Sequence, residues 1–146
     1  MIPSQLKTLI EKQPGDRIRT DRAAAERALA ELGVSADSEF AQLYLAYKLL
    51  SFRSEVSYEE LVDVAEPNRA VAVGTQFAHE VWGLPEKYVA FTSLEGEGAY
   101  LYDRETGQVW DFELASKDAF LARRQQPKFN SFFEFMEWYL GDSPGH

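Results

Sequence analysis

Alternation of apolar and polar residues in the C-terminal half of the chain predicts three strands in succession. We expect them at residues 89–94, 99–103 and 108–114, because a period of two places alternate side chains on one face of a sheet. Gly96 and Gly107 lie between them and supply the conformations that tight turns require. Short connections of this kind join antiparallel neighbours, so the strands are predicted to pair antiparallel and in sequence order.

The same alternation assigns the side chains of each predicted strand to two faces. In the second strand Tyr100 and Tyr102 share one face. In the third strand two sets point opposite ways, namely Trp110, Phe112 and Leu114 against Val109, Asp111 and Glu113. One half-buried face per strand is typical of a sheet covered on one side. The predicted fold class is therefore α+β, an antiparallel sheet of at least three consecutive strands packed against several helices.

The N-terminal half has the three- and four-residue spacing of amphipathic helices. Helices are predicted at residues 3–12, 22–32 and 36–50, and a fourth in the segment that follows Ser57. Asp21 and Ser35 can cap the second and third of these helices. Ser57 and Glu60 form a capping box at the start of the fourth.

The segment from residue 67 to residue 83 is ambiguous. Its run 70–73 is short, apolar and compatible with a strand, whereas Phe77, Val81 and Trp82 have helical spacing. Short apolar runs are not distinguished by periodicity. A helix over residues 75–82 is favoured, and a strand at 70–73 stays open.

The last predicted helix has the widest apolar face. It begins near Asn130 or Ser131, where Glu134 completes a capping box. Its apolar side chains are expected to pack on the sheet: Phe132, Phe133, Phe135, Met136, Tyr139 and Leu140. We expect Phe135, together with Trp110 and Phe112, to be buried in the core.

Composition bounds the class of protein. The 146 residues are 45% hydrophobic, enough for a single domain over 1–146 whose tail frays from about residue 141. Absence of cysteine excludes disulfides and thiolate chemistry and is compatible with the cytoplasm, where we place the protein. No run approaches the roughly 18 apolar residues of a membrane span, so we expect no membrane association.

Recognisable catalytic chemistry is sparse in the sequence. His79-Glu80 begins a zinc-protease motif, but Gly83 stands where the second histidine is required. Asp111 and Glu113 share a strand face, although their spacing is that of any solvated strand. We therefore predict no catalytic residue, no metal and no cofactor, and an enzyme built on that carboxylate pair is the least favoured class.

Charge indicates the kind of partner. The net charge of -9 disfavours nucleic acid and favours a basic protein. The basic loop at residues 123–128 is too short and isolated to indicate nucleic-acid binding. Six acidic residues and two basic ones lie between residues 87 and 114. The predicted partner-binding residues are Glu95, Glu97, Asp103, Glu105, Asp111 and Glu113, with Tyr100 and Tyr102 as aromatic anchors.

Four motifs follow one another in a recognisable order. They are Leu32-Gly33; Trp82, Pro85 and residues 88–91; residues 96–103 with Thr106-Gly107 and Val109; and residues 131–140. In this order and spacing the chain resembles the SUKH superfamily. Two positions differ from the usual pattern, because Ser35-Ala36 replaces Leu-Pro and residues 51–54 replace Asn-Gly-Gly.

The resemblance implies an α+β fold and a non-catalytic, protein-binding function. Many members are bacterial immunity proteins that bind and neutralise a cognate toxin, and this role is the favoured hypothesis. The alternative is a regulatory or scaffold domain that binds a host protein, as in the fungal cell-wall-synthesis regulator. The departure from the family pattern makes residues 53–58 the next candidate for a binding surface. The toxin and the oligomeric state stay open.

Overall fold

The computed structural model describes residues 2–13, 17–49, 52, 54, 56–57, 60–65, 69–93 and 98–141. Within these residues the fold is α+β, as predicted, with six helices and one three-stranded antiparallel sheet. The helices are α1 (Ser4–Glu11), α2 (Arg22–Glu31), α3 (Glu39–Ala46), α4 (Arg69–Glu80), α5 (Lys117–Leu121) and α6 (Phe132–Leu140). The strands are β1 (Tyr88–Ala90), β2 (Gly98–Asp103) and β3 (Val109–Glu113). None of the helices in this described part has the length and apolar character needed to cross a bilayer.

The sheet has the predicted order, β1-β2-β3, with both pairs antiparallel. Val89 pairs with Tyr102, and Leu101 pairs with Trp110. Trp110 and Phe112 lie on one face, which confirms the predicted register. β1 is shorter than predicted, and the end of that predicted strand, residue 94, lies outside the described residues.

Both faces of the sheet are covered, so the prediction of a sheet with one covered side is wrong. The first face carries Val89, Tyr100, Tyr102 and Val109, which join a core with side chains from α1, α2, α3 and α6. The second face carries Tyr88, Ala90, Leu101 and Phe112, which pack with Ala78, Trp82, Leu84 and Phe120. The physical reason is the position of α4 and α5, whose apolar side chains lie across this second face.

Helix α6 packs on the first face, as expected. The Phe135 ring is fully buried, with its centroid 5.1 Å from that of Phe91 and 5.0 Å from that of Tyr100. Phe112 is fully buried on the other face. The prediction that Trp110 is buried is wrong, because its side chain is only half-buried: β3 is an edge strand of the three, and Phe120 covers one side of the ring.

Local capping signals locate two helix starts correctly. The Asp21 carboxylate accepts from the N–H of Ala24 at 3.1 Å. The Ser131 hydroxyl accepts from the N–H of Glu134 at 3.2 Å, while the Glu134 carboxylate accepts from the N–H of Asn130 at 3.1 Å. These contacts satisfy amide groups that have no partner within their helices.

Helix α3 is shorter than the predicted helix at both ends. Ser38, not Ser35, caps it, and its hydroxyl accepts from the N–H of Ala41 at 3.1 Å. The helix ends at Ala46 because the next residue, Tyr47, is extended and pairs with Ile18.

The predicted helix after Ser57 does not form in the described residues 60–65. Leu61 pairs with Thr92 instead, and the N–H of Val62 donates to the carbonyl of Phe91 at 3.0 Å. The segment therefore lies along the continuation of β1, where backbone hydrogen bonds outweigh the capping signal.

Helix α4 resolves the ambiguous segment. It spans Arg69–Glu80, so residues 70–73 are helical and the strand alternative is excluded. The predicted frayed tail falls on residues 142–146, outside the described residues.

Candidate functional site

The two tyrosines predicted as surface anchors belong to the core. Tyr100 is 4% exposed and Tyr102 is 3% exposed. Their rings face the helices, with Tyr100 at 5.0 Å from Phe135 and Tyr102 stacked at 4.3 Å from Phe40, centroid to centroid. Burial raises the pKa of the Tyr102 phenol. The prediction that these rings contact a partner is therefore wrong, because α3 and α6 cover them.

Asp103 holds the turn between β2 and β3. It is 1% exposed, and its carboxylate lies 3.2 Å from the Lys87 ammonium. It also accepts from the N–H groups of Glu105 and Thr106 at 2.9 and 3.3 Å. Burial acts to lower the pKa of Lys87, but its hydrogen bond to Asp103 and the negative charges of Tyr88, Asp103 and Glu105 together outweigh burial, and the pKa is raised. Asp103 is a structural residue and has no exposed carboxylate to offer a partner.

Asp111 is tied to the loop that covers the edge of β3. Its carboxylate lies 3.7 Å from the Lys128 ammonium, and its carbonyl accepts from the side-chain amide of Gln125 at 2.8 Å. The same ammonium lies 4.6 Å from the centroid of the Trp138 ring and 5.7 Å from that of Tyr100. A cation between two aromatic rings and a carboxylate is stabilised by all three. This cluster fastens the loop to the sheet and partly neutralises Asp111.

The other predicted acids do not form one surface within the described residues. Glu105 is exposed at the β2–β3 turn, whereas Glu113 is exposed at the opposite end of the hairpin, beside Gly98. A six-residue strand separates the two ends by roughly 17 Å. Glu95 and Glu97 lie outside the described residues. Of the predicted binding residues, Glu113 is exposed at the end that adjoins the 94–97 connection.

His79 fastens α4 to the sheet. Its Nε2 lies 2.8 Å from the carbonyl oxygen of Tyr88. A carbonyl oxygen only accepts, so this nitrogen carries the proton. Glu80 is exposed and accepts from the side-chain amide of Gln76 at 3.2 Å. Among the described side chains, no three of His, Asp and Glu converge into a metal-binding group.

The exposed apolar side chains mark a surface that the sequence interpretation missed. Phe77 is 39% exposed and Val81 is 61% exposed, one helical turn apart. Ala78 and Trp82, one residue further along, are buried on the second sheet face. The sequence contains a signal for this surface. Phe77 and Val81 form one apolar stripe and Ala78 and Trp82 form the next, and one contact with the sheet cannot bury both stripes of a short helix.

This exposed pair lies on the side of the second sheet face, beside Trp82. The Phe77 ring centroid is 5.6 Å from that of Trp82, which is 5.2 Å from that of Phe112. Exposed Glu80 lies between Phe77 and Val81 in the chain. Glu113 is exposed in β3, but strand alternation directs it to the first face, away from Phe112. We call the group Phe77, Glu80 and Val81 the acidic apolar patch.

Comparison with known proteins found no match for the chain. No protein-family model matches the chain, and neither does any curated protein or solved structure. What the chain binds is therefore inferred from its own surface and from the motifs in its sequence.

Proposed function

We propose that this chain is a non-catalytic protein-binding domain that acts in the cytoplasm as a bacterial immunity protein. It binds a basic toxin domain and neutralises that domain by covering its active site. The observation that carries the proposal is the acidic apolar patch, where exposed Phe77 and Val81 flank exposed Glu80 on the side of the second sheet face.

The chemistry of this surface suits a basic protein partner. Apolar side chains at the centre of an interface provide most of its binding energy, while charges at the rim steer the encounter. The charged member of the acidic apolar patch is a carboxylate, in a chain whose net charge is -9. The proposal retains Glu95, Glu97 and exposed Glu113 as further acidic contacts.

The choice of a toxin as the partner rests on the resemblance to the SUKH superfamily. Many members of that family neutralise toxins by binding them. Neutralisation by occlusion consumes one immunity protein for each toxin and requires no cofactor. The proposal therefore expects stoichiometric protection.

The direct test uses the protein encoded by the neighbouring gene as the candidate toxin domain and titrates it in the presence of a metal chelator. Residual toxin activity should fall linearly and reach its minimum at one molar equivalent of this protein. Protection at a small fraction of one equivalent would mean turnover and would replace the proposal with an enzyme. Binding that leaves toxin activity intact would instead favour the regulatory or scaffold role.

A pair of alanine variants tests the surface. Phe77→Ala should weaken binding by at least about tenfold, or 1.4 kcal/mol, if the ring is a central anchor. Ile18→Ala is the matched control, because Ile18 is 51% exposed on a segment that pairs with Tyr47, away from α4. Equal affinities for the two variants would contradict the assignment of this surface while leaving the immunity function intact.

A further inference from the structure

The outer edge of β3, the side turned away from β2, is covered at one end. The N–H of Asp103 donates to the carbonyl of Gln108 at 2.9 Å. The backbone groups of residues 108, 110 and 112 therefore face β2, and those of residues 109, 111 and 113 face outward. The outward groups of Val109 are paired, because its N–H donates to the carbonyl of Phe129 at 2.9 Å and its carbonyl accepts from the N–H of Phe129 at 3.1 Å.

Pairing along this edge stops at the next outward residue. Continuation of the same register places Pro127 opposite Asp111, and proline has no N–H to donate. The side-chain amide of Gln125 donates to the Asp111 carbonyl in its place, at 2.8 Å. No described residue pairs with the N–H of Asp111, or with the N–H and the carbonyl of Glu113. Three outward backbone groups are thus left for a further strand.

The backbone at this end of β3 has the conformation that a further strand requires. Glu113 has φ -127° and ψ 134°, so the chain stays extended up to the 3₁₀ turn that follows the strand. Its side chain is exposed, and the Asp111 side chain is 40% exposed. An extended edge with unpaired N–H and carbonyl groups is a template for another extended segment.

The side chains at this edge select the segment that it accepts. Asp111 and Glu113 alternate with Phe112 and share the first face of the sheet. An antiparallel strand added to β3 places its own side chains directly opposite these carboxylates, where basic residues are favoured and acidic residues are disfavoured. A second copy of β3, paired about Phe112, would set Asp111 against Glu113. The edge therefore suits a basic segment and repels a second copy of itself.

We infer that the outer edge of β3 at residues 111–113 binds an extended basic segment of the partner, which pairs with it as an additional strand. The inference rests on the proposed function and adds a directional contact to it, because backbone hydrogen bonds fix the register of the bound segment. Phe112 lies in this edge segment and contacts Trp82, which contacts Phe77 of the acidic apolar patch. One interface of ordinary size, about 800 Å² on each partner, therefore reaches both sites.

Amide hydrogen exchange tests the inference directly, measured by NMR on the full chain alone and with the protein encoded by the neighbouring gene. The N–H groups of Asp111 and Glu113 should exchange about tenfold or more slowly in the complex, because each then donates to the partner's backbone. The N–H of Arg22 is the control, since it lies in the exposed first turn of α2, has no partner within that helix and should be unaffected. Unchanged exchange at Asp111 and Glu113 in a complex that forms would overturn the inference and leave the proposed function standing.

Two variants separate charge from backbone pairing. Glu113→Gln removes only the charge and should weaken binding about threefold or less. Glu113→Pro also removes the outward N–H, which the sheet does not use, and should weaken binding about tenfold further. Urea midpoints establish that both variants fold, and the exchange measurement decides the question if the proline variant does not. Equal affinities of two folded variants would overturn the strand pairing.

Two further outcomes are distinct from these. Dimerisation of the free chain with protection of the Asp111 and Glu113 amides would assign the edge to a second copy and overturn the inference. Failure of the wild-type chain to bind the product of the neighbouring gene would overturn the proposed function itself.

Discussion

Arg19 and Asp63 form a bidentate ion pair inside the fold. Two guanidinium nitrogens lie 2.6 and 2.9 Å from the two carboxylate oxygens. The side chains are 3% and 4% exposed. The same guanidinium donates to the carbonyls of Tyr44 and Tyr47 at 2.8 and 3.1 Å. One ion pair thus joins the segment before α2, the end of α3 and the extended segment beside β1.

Removal of one partner of this pair should be strongly destabilising. Asp63→Asn leaves the Arg19 charge buried without its counter-ion, and we expect a loss of about 3–5 kcal/mol in the free energy of unfolding. Glu26→Gln is the matched control, since the Arg22–Glu26 pair is 64% and 57% exposed and exposed helix pairs contribute about 0.3–0.5 kcal/mol. Urea denaturation measures both. Similar losses in the two variants would contradict the burial of the Arg19–Asp63 pair.

Stability should fall in alkaline solution. Burial raises the pKa of Tyr44 well above its ordinary value, with the charge of Asp63 acting in the same direction. The folded chain therefore holds the phenol proton more tightly than the unfolded chain. Stability is fully present below the unfolded pKa of about 10 and is lost as pH rises from there toward the folded pKa.

Urea midpoints between pH 8 and pH 11 measure this effect. Tyr44→Phe lacks the titrating group, so its midpoint should fall less steeply above pH 10 than that of the wild-type chain. The variant also loses the hydrogen bond from the Tyr44 hydroxyl to the Val62 carbonyl, at 3.0 Å, and this lowers the midpoint at every pH. The slope, not the absolute midpoint, is the relevant quantity. Equal slopes would show that Tyr44 ionises as freely as in the unfolded chain.

Gly33 should tolerate alanine poorly, for two separable reasons. Its φ is +75°, which strains any side chain, and a Cβ there would lie 2.5 Å from Nη1 of Arg104. That nitrogen donates to the Leu32 carbonyl at 2.8 Å, at the end of α2. Gly33→Ala should therefore cost about 1 kcal/mol of strain plus about 1 kcal/mol for the displaced hydrogen bond.

Gly107→Ala is the control for strain alone, because Gly107 has φ +80° and an added Cβ would meet no atom within 4 Å. A double-mutant cycle with Arg104→Ala isolates the contact. In the Arg104→Ala background, the unfolding free energies lost by Gly33→Ala and Gly107→Ala should become similar. A persistent difference there would assign the extra loss at Gly33 to something other than Arg104.

Reversal of charge at the acidic apolar patch should slow association with the toxin domain. Glu80→Lys should lower the association rate constant and weaken its dependence on ionic strength, with little change in dissociation. Glu31→Lys is the matched control, because it alters the net charge equally at an exposed position of α2, whose core contacts lie on the first face. Stopped-flow mixing at several salt concentrations compares the two variants. An equal slowing by both would mean that total charge, and not this surface, guides the encounter.

Local chemistry was sufficient to predict much of the fold from the sequence. Strict alternation and well-placed glycines predict β2, β3 and their turn, because neighbouring residues determine side-chain direction and backbone conformation. Capping contacts at Asp21 and Ser131 involve groups within a few residues of each other, so α2 and α6 begin where the sequence indicates.

Pairing with a distant segment is beyond such local reasoning. Ser57 and Glu60 satisfy the capping rule, yet residues 60–62 are extended because Thr92 and Phe91 offer them backbone partners. The candidate binding residues show the same division. The exposure of Glu113 follows from its place in the alternation of β3, but the exposure of Phe77 depends on which apolar stripe of α4 meets the sheet.

The period of each strand, the order of the sheet and the net charge of -9 follow from the sequence alone, because they depend on neighbouring residues or on composition. Which side chains reach the surface depends instead on how distant elements pack together. Tyr100 and Tyr102 alternate as residues of a half-exposed strand would, yet α3 and α6 bury them on one face while α4 and α5 bury Leu101 on the other. Asp103 likewise counts toward the negative charge of the chain, but its carboxylate is not available to a partner, since Lys87 and two turn amides enclose it. A side chain is buried by the element that packs on it, and for these strands that element lies far away in the chain.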